Sequence, residues 1–383
     1  MRATVPERLH LALVTPRVVR GDGQGRVNYE IIRHALMRGA EVTVVTTALA
    51  PELEAQEGLH WIPSGCSWLP TSLLRSQAFS LQSARWFSTH RAHLGVIQSN
   101  GSVTLAPSDV NTAHFVHGAW AKSRAHTSRY NHNAYGLYHT ALTALHASQE
   151  RVAYKRARHV IAISEQVKRQ LVGIGIDESK ISVIYNGVDT TEFAPGNSLR
   201  SDYGLPGEIF IALFAGDMTT PRKNLDTVLA ALQSAPDVHL AVVGALRNNP
   251  YPTRVKAMGL NKRVTFLGFR HDLPQIMQTV DAFVYPSRYE PLGLVVLEAL
   301  SSGLPVVTSR TTGASELVGP QTGFIIEDAN DHRALGLALT QLARDTVLRQ
   351  SMALVARSTA ERYTWAHMSE QYYQIYERLA GSR

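Results

Sequence analysis

The sequence predicts an α/β chain folded as two Rossmann-like, doubly wound domains facing a central cleft. Three observations carry this. The chain has 383 residues, about twice a typical domain. In both halves, short apolar runs bounded by turn residues alternate with helical patterns, as parallel strands with crossover helices require. A turn-rich stretch at 189–207, with Pro195, Gly196, Asn197, Ser198, Gly204, Pro206 and Gly207, separates the halves and reads as a linker. The expected domains are 1–190 and 207–363, with a last aromatic-rich helix at 364–380.

In the first half the apolar run 9–14 reads as a buried strand ending in a loop. The glycine run GDGQGR at 21–26, containing Gly23 and Gly25, leads into a helical pattern of Val27, Ile31, Ile32, Ala35 and Leu36, closed by Gly39. A strand at 41–47 completes a Rossmann-like unit, although the glycine spacing departs from the strict dinucleotide fingerprint. Residues 72–87 have helical spacing and mix Leu73, Leu74, Phe79, Leu81, Trp86 and Phe87 with Arg75 and Arg85. That pattern suits either a core-facing helix or a basic helix lying in a membrane interface. Strands are expected at 94–100 and 112–117. The C-terminal ends of strands line the ligand crevice of open α/β sheets, so His117, followed by Gly118, is expected to point into it; His114 is expected in packing. A long helix at 133–158, a strand at 159–163 and Ser164 as an N-cap follow, and the stretch 181–189 ends this half.

The second half repeats the alternation, with strands expected at 209–216, 238–244, 263–267, 281–285 and 305–308. Helices are expected at 335–342, 347–362 and 363–379. The stretch around which the rest is arranged is YPSRYEPLGLVVLEAL at 285–300. It reads as a strand end, a short loop and a helix opening near Leu292 or Gly293. A helix start presents unpaired N–H groups and a positive dipole end, which suits a phosphate, and a glycine lets a ligand approach the backbone. Glu290 precedes the opening and Glu298 follows it, which suits hydroxyls on either side of a bound diphosphate: a sugar on one, a ribose on the other. The loop after Gly216 carries PRKN at 221–224, and the cations Arg222 and Lys223 stand at a helix start, where the dipole disfavours them unless an anion is bound. The run FLGF from Phe266 to Phe269, through backbone around Gly268 and Arg270, and Tyr285 are expected to line a nucleotide-base pocket, and Gly313 to form a turn facing the cleft.

These motifs together resemble retaining glycosyltransferases of the GT-B fold, family 4 (group 1). Glu290 and Glu298 match the family's E-x7-E motif. The runs GQGR at 23–26, His117-Gly118, YNGVD at 185–189, PRKN at 221–224 and GLPVV at 303–307 followed by Gly313 match as well. The resemblance implies sugar transfer from a nucleoside-diphosphate donor, UDP- or GDP-linked, to a hydroxyl acceptor with retained anomeric configuration. It implies that the second domain holds the donor and the first the acceptor. The catalytic set would be Glu290, His117, Lys223 and Arg222. Donor-binding groups would be Glu298, Gly23, Gly25, Leu292, Gly293, Leu294, Gly268, Arg270, Gly216 and Gly313. It also implies that the 21–26 loop closes over the donor phosphates, that His117 contacts the donor sugar, and that the last helix packs back on the first domain. One departure stands out: many relatives have arginine after the strand-end glycine, where this chain has Asp217. No metal and no cofactor are expected, because no Asp-x-Asp or His/Asp cluster is placed to hold an ion.

Composition narrows the partners. Residues 1–200 hold 21 Lys+Arg against 14 Asp+Glu, whereas the remainder holds 17 of each. Within 60–176 there are 12 basic residues and three acids, Asp109, Glu150 and Glu165. A basic first half suggests an anionic surface, such as a lipid leaflet or a lipid-linked acceptor; no nucleic-acid module is present. No apolar run is long enough to span a bilayer, and the start of the chain does not read as a signal peptide. The single cysteine, Cys66, reads as a partly buried thiol without a role and fits a reducing compartment. The expected setting is cytoplasmic, peripheral on the inner face of a membrane, in assembly of a growing glycan or lipid-linked saccharide. A sugar-nucleotide epimerase on the same architecture, or an inactive nucleotide-sugar-binding scaffold, are the competing readings.

Overall fold

The computed structural model describes residues 8–65, 67–247 and 249–382; Cys66 lies outside them. The chain forms two compact units. The first takes in the described residues of Met1–Lys122, Asn131–Gly187 and Trp365–Arg383; the second takes in those of Ser123–Tyr130 and Val188–Thr364.

The first unit is built on a seven-stranded sheet. From edge to edge its strands are Leu59–Pro63, Glu41–Thr46, His10–Val14, Val96–Asn100, Val110–Ala113, His159–Ala162 and Ile181–Val183, all parallel. In chain order this is 3-2-1-4-5-6-7, with the reversal at the first strand that defines a doubly wound fold. The central strand shows why the run forms a strand: Leu11, Ala12, Leu13 and Val14 are all fully buried. Both faces are covered by helices, so apolarity is continuous rather than alternating. Each such leucine or valine contributes about 1.5–3 kcal/mol by leaving water.

Helix Ser72–His90 starts where the Thr71 hydroxyl accepts from the Leu74 N–H at 3.2 Å. Phe79 and Phe87 join a core cluster with Ala12, Val14, Val45, Leu94 and Ile97. Leu74, Arg75, Leu81 and Arg85 of the same helix are exposed, as is Trp68 before it. The helix therefore has one core face and one basic-apolar solvent face. The last helix, Trp365–Ala380, belongs to the first unit and packs on helix Gly23–Met37. Tyr372 and Tyr376 are its fully buried anchors, and Glu370 accepts from Arg38 at 2.6 Å and bonds the His34 ring at 3.0 Å.

The second unit is built on a six-stranded parallel sheet in the order Val264–Gly268, Val238–Val243, Phe210–Ala215, Ala282–Tyr285, Val306–Ser309, Gly323–Ile326, which is 3-2-1-4-5-6 in chain order. All six residues of the central strand are buried.

Two expectations are corrected. The strand expected at 112–117 ends at Ala113, and His117 opens a single helical turn, His117–Trp120. The stretch 181–189 holds a short strand, Ile181–Val183, after which the Val188 N–H donates to the Tyr363 carbonyl at 2.8 Å. The stretch 189–207 is not a free linker but part of the second unit. Arg200 ties it down by donating to Thr279, Gly207 and Ile209 carbonyls and to Asp281, all at 2.7–2.8 Å. Arg357 does the same from helix Thr346–Ala360, donating to the Thr190, Phe193 and Ser301 carbonyls at 2.8–3.0 Å.

Removing the Arg357 guanidinium takes a donor from three carbonyls together, of which Phe193 keeps the Ser301 hydroxyl at 2.6 Å. Arg357→Met is expected to lower stability by about 2–4 kcal/mol, since hydrogen bonds to charged groups are worth more than neutral ones and orphaned acceptors cost more still. A urea unfolding curve followed on the second unit checks this; an unchanged midpoint contradicts it.

Candidate functional site

Two neighbouring strands of the second unit deliver the principal cluster. Phe210–Ala215 feeds the loop that carries Gly216, Arg222 and Lys223, and Ala282–Tyr285 feeds the loop that carries Glu290 and Gly293. Strand C-terminal ends side by side are where open α/β sheets bind ligands. The two loops are bolted to each other. The Arg222 carbonyl accepts from the Arg288 N–H at 2.8 Å and the Ser287 hydroxyl at 3.0 Å, and Arg288 Nη1 donates to the Pro221 carbonyl at 2.6 Å. Asn224 is the pivot. It holds the left-handed backbone at φ 68°, uncommon for a residue other than glycine. Its Oδ1 accepts from the Thr227 hydroxyl at 2.7 Å, and its Nδ2 donates to the Pro286 and Ala329 carbonyls at 2.8 and 2.6 Å.

Helix Leu294–Ser301 opens at Gly293, also left-handed at φ 92°. A Cβ there would lie 3.2 Å from Glu290 Cγ and 3.5 Å from the Tyr285 ring, so the glycine is dictated both by conformation and by space. Gly313 is dictated by space alone. Its Cβ would meet the Pro291 carbonyl oxygen at 1.9 Å. That closeness lets the Gly313 and Ala314 N–H groups donate to the Glu290 and Leu292 carbonyls at 2.8 and 2.7 Å. The turn pins the helix opening, and the N–H groups of Leu292, Gly293 and Leu294 have no acceptor among the described residues.

Around this opening the charges converge. Lys223 Nζ bonds Glu290 Oε2 directly, Arg222 Nη1 lies 3.7 Å from the same oxygen, and the Tyr285 hydroxyl donates to it at 3.1 Å. Lys223 also rests over the Tyr285 ring at 5.1 Å. Burial alone would push the Glu290 carboxyl up, but Lys223 and Arg222 outweigh it and hold Glu290 below its usual value. Burial dominates for Lys223, whose ammonium is pulled below the ordinary lysine value despite Glu290. Tyr285 is driven well above the usual phenol value by burial, then by the Glu290 charge. Asp217, the departure from the resembled pattern, closes the turn: its Oδ1 accepts from the Thr219 N–H and hydroxyl at 2.8 and 2.7 Å.

The structure thus brings together Glu290, Lys223, Arg222, Gly216, Leu292, Gly293, Leu294 and Gly313. Glu298 sits half-buried within the first helical turns beyond them. Gly268, at the end of a strand two positions from Phe210–Ala215 and three from Ala282–Tyr285, and Arg270 just beyond that strand stand apart, roughly 10–14 Å away at ordinary strand spacing. The Gly268 carbonyl is taken by the Gly244 N–H at 2.9 Å, and the Arg270 side chain is paired with Asp272 at 2.5–2.8 Å. Tyr285, expected in a base pocket, is corrected: it is fully buried beneath Glu290. Beside Gly268 it is Phe269 that presents an exposed ring, edge-on to His271.

His117, Gly23 and Gly25 belong to the first unit. Gly23 opens helix Gly23–Met37, and Gly25 is buried where its Cβ would meet the Val19 carbonyl at 2.8 Å, so packing accounts for it. His117 lines a cavity of about 820 Å³ with Arg17, Arg75, Phe79, Asn100 and His114 among others. His114, expected in packing, therefore faces the cavity too. Burial pulls its pKa down to about 4, so the ring is neutral and bonds Asn100 Oδ1 at 3.2 Å. His117 Nδ1 bonds Glu150 Oε2 at 2.8 Å. Sequence reasoning missed Glu150 and Ser287, and placed Asn224 in the PRKN motif without seeing that it is the pivot. Glu150 left a trace, as one of three acids in a long basic stretch; the other two carried no more weight there. Among the described residues no group of three His, Cys, Asp or Glu side chains is placed to hold a metal ion, and no helix is long and apolar enough to cross a membrane.

Comparisons with known proteins bear on the family and the fold. Residues 21–192 match the profile of Glycosyltransferase Family 4, and residues 197–359 match that of Glycosyl transferases group 1. The chain is 30% identical to alpha-maltose-1-phosphate synthase of Mycolicibacterium smegmatis over 61% of its own length and 66% of that protein. It is 36% identical to the UDP-Gal:alpha-D-GlcNAc-diphosphoundecaprenol alpha-1,3-galactosyltransferase of Escherichia coli over 45% and 48%. The chain spans between about half and two thirds of the curated relatives it matches first. In three dimensions it superposes on sucrose-phosphate synthase of Thermosynechococcus elongatus with a TM-score of 0.80 at 20% identity, over 98% of this chain and all of that one. That likeness fixes the fold as GT-B.

Two expectations follow from the cluster. Since Glu290 titrates below its unfolded value, its contribution to stability is complete above the usual carboxylate range and is lost as pH falls through its folded pKa. Glu290→Gln should flatten that acid limb in melting curves taken across mildly acidic pH. Breaking the pair from one side leaves a buried charge alone, at a cost of about 3–5 kcal/mol, whereas Glu290→Gln with Lys223→Met should cost less than the sum of the single changes. Additive losses in the double variant would contradict the coupling.

Proposed function

The chain belongs to the group 1, family 4 glycosyltransferases, and on that premise we propose that it is a retaining enzyme that moves a hexose from a nucleoside-diphosphate donor, UDP- or GDP-linked, to a hydroxyl acceptor. One observation carries the reading: two cations, Arg222 and Lys223, converge on one buried carboxylate beside three unpartnered helix N–H groups. A diphosphate leaving group develops negative charge as the glycosidic bond breaks, and preorganised donors of this kind are the largest catalytic term in many enzymes. Arg222, Lys223 and the N–H groups at 292–294 supply the positive charge, so this reading calls for no metal. Glu290 turns from the cations to the sugar hydroxyls, Glu298 holds the ribose, and His117 contacts the sugar. Backbone at Gly268 and Arg270 flanks the base, and Gly216 and Gly313 allow the close approach of the diphosphate. The glycine loop holding Gly23 and Gly25 closes over the phosphates. No second carboxylate is assigned as a nucleophile, which favours front-face return with the donor phosphate as base.

The acceptor in this reading is a growing glycan or lipid-linked saccharide, held by the first unit. The named substrate of the Escherichia coli relative is a diphosphate-linked lipid. The exposed face of helix Ser72–His90, with Leu74, Leu81, Arg75 and Arg85, and the basic balance of residues 1–200 suit an anionic leaflet. The setting would then be the cytoplasmic face of a membrane.

The test is a panel of UDP- and GDP-sugars with product mass as the readout. Donor-dependent mass gain on a hydroxyl acceptor supports the reading. Glu290→Ala should abolish transfer in protein that circular dichroism shows still folded at the assay temperature, with the lowered melting point that an unpaired Lys223 entails, and Lys223→Ala should weaken binding of UDP or GDP in titration calorimetry about tenfold or more. Full transfer by both variants refutes the assignment.

A further inference from the structure

We propose that Glu150 is a positioning residue for His117: it fixes the ring with Nδ1 protonated, so that Nε2 is presented as an acceptor to a substrate hydroxyl in the first-unit cavity. The part that names a substrate rests on the glycosyltransferase reading; the part that concerns the ring rests on the first unit alone.

Glu150 lies on helix Ala134–Arg156 and its side chain is 1% exposed. Both of its oxygens are engaged, and by consecutive residues. Oε2 is 2.8 Å from His117 Nδ1, and Oε1 accepts from the Gly118 N–H at 2.9 Å. One carboxylate therefore sets the imidazole and the backbone that carries it. Gly118 shows how close the fit is: a Cβ there would meet Ile174 Cγ2 at 2.9 Å and stand 3.7 Å from Glu150 Oε1. The ring is hemmed in by Phe115 and His146, each with its centroid 5.0 Å away. Burial holds His146 below its usual pKa.

The hydrogen-bond polarity follows. A carboxylate can only accept, so Nδ1 must carry the proton. In the neutral ring Nε2 is then bare. Carboxylate–imidazole pairs elsewhere fix the tautomer and orientation of a working histidine in this way. A bare nitrogen repels an anionic oxygen and gains nothing from a carbonyl; it selects a donor. In a sugar-transfer site the donor at hand is a hydroxyl, on the sugar or on the acceptor. The contact expected of His117 thus acquires a sign: it receives a proton bond from the substrate and does not give one to the diphosphate.

The experiment uses the full chain labelled with ¹⁵N-histidine at neutral pH, with the His117 resonance assigned through His117→Gln. The expected wild-type spectrum has a protonated, pyrrole-like Nδ1 and a pyridine-like Nε2. In Glu150→Gln the preference should collapse toward the Nε2-protonated form. A wild-type ring protonated on Nε2, or the same tautomer in both proteins, overturns the proposal. If Glu150→Gln does not fold, the wild-type spectrum still decides, and Glu150→Asp, whose shorter reach breaks one of the two contacts, replaces it. In kinetics Glu150→Gln should lower kcat/KM about 10–100-fold with UDP or GDP affinity unchanged, and His117→Gln with Glu150→Gln should be no worse than His117→Gln alone. Additive losses overturn it. If no sugar is transferred at all, the glycosyltransferase reading fails while the spectrum still judges the ring.

Discussion

The second unit turns on a buried ion pair laid over an aromatic ring. Lys223 and Glu290 arrive on loops that follow adjacent strands, and each would be costly to bury alone. Together they fix the distance between those loops, with Tyr285 as the floor. The surrounding scaffold exists to keep the pair in register. Asn224 takes a strained backbone conformation to reach three partners, and Arg288 and Ser287 hold the 221–224 loop by its carbonyls. Strain of this kind persists only where neighbours over-determine it.

The first unit solves a related problem in a related way. A buried carboxylate, Glu150, again grips the turn that follows a strand, and again a glycine stands in the turn, here because Ile174 crowds it. In both units a sheet supplies rigid strand ends, an acid from elsewhere in the chain fixes the turn, and polar groups are left facing outward. That is the economy of doubly wound folds: the sheet is generic, and chemistry resides in the turns.

Much of this was legible in the sequence. The alternation of apolar runs and helical patterns placed the strands of both sheets, and the paired glutamates with PRKN located the cluster before any coordinates. The failures share a cause. The run at 112–117 has the composition of a strand, yet the chain leaves the ladder at Ala113 because Glu150, some 33 residues on, claims His117 and Gly118. The stretch 189–207 has the composition of a linker, yet Arg200 and Arg357 claim its carbonyls. Tyr285 reads as a pocket wall, yet the Lys223–Glu290 pair seals it in. In each case a long-range polar contact overrides a local pattern, and such contacts leave no periodicity behind. Glycines 293 and 313 were legible as special positions, but only the geometry separates the one that needs a left-handed backbone from the one that needs room.

The cluster carries its own counter-ion. With Glu290 seated on Arg222 and Lys223, the resting protein shows the surrounding solution no naked cation pair at its helix opening. An anion drawn to Arg222 and Lys223 meets a tethered carboxylate already seated on them, so the acid sets the threshold that any anionic visitor has to exceed.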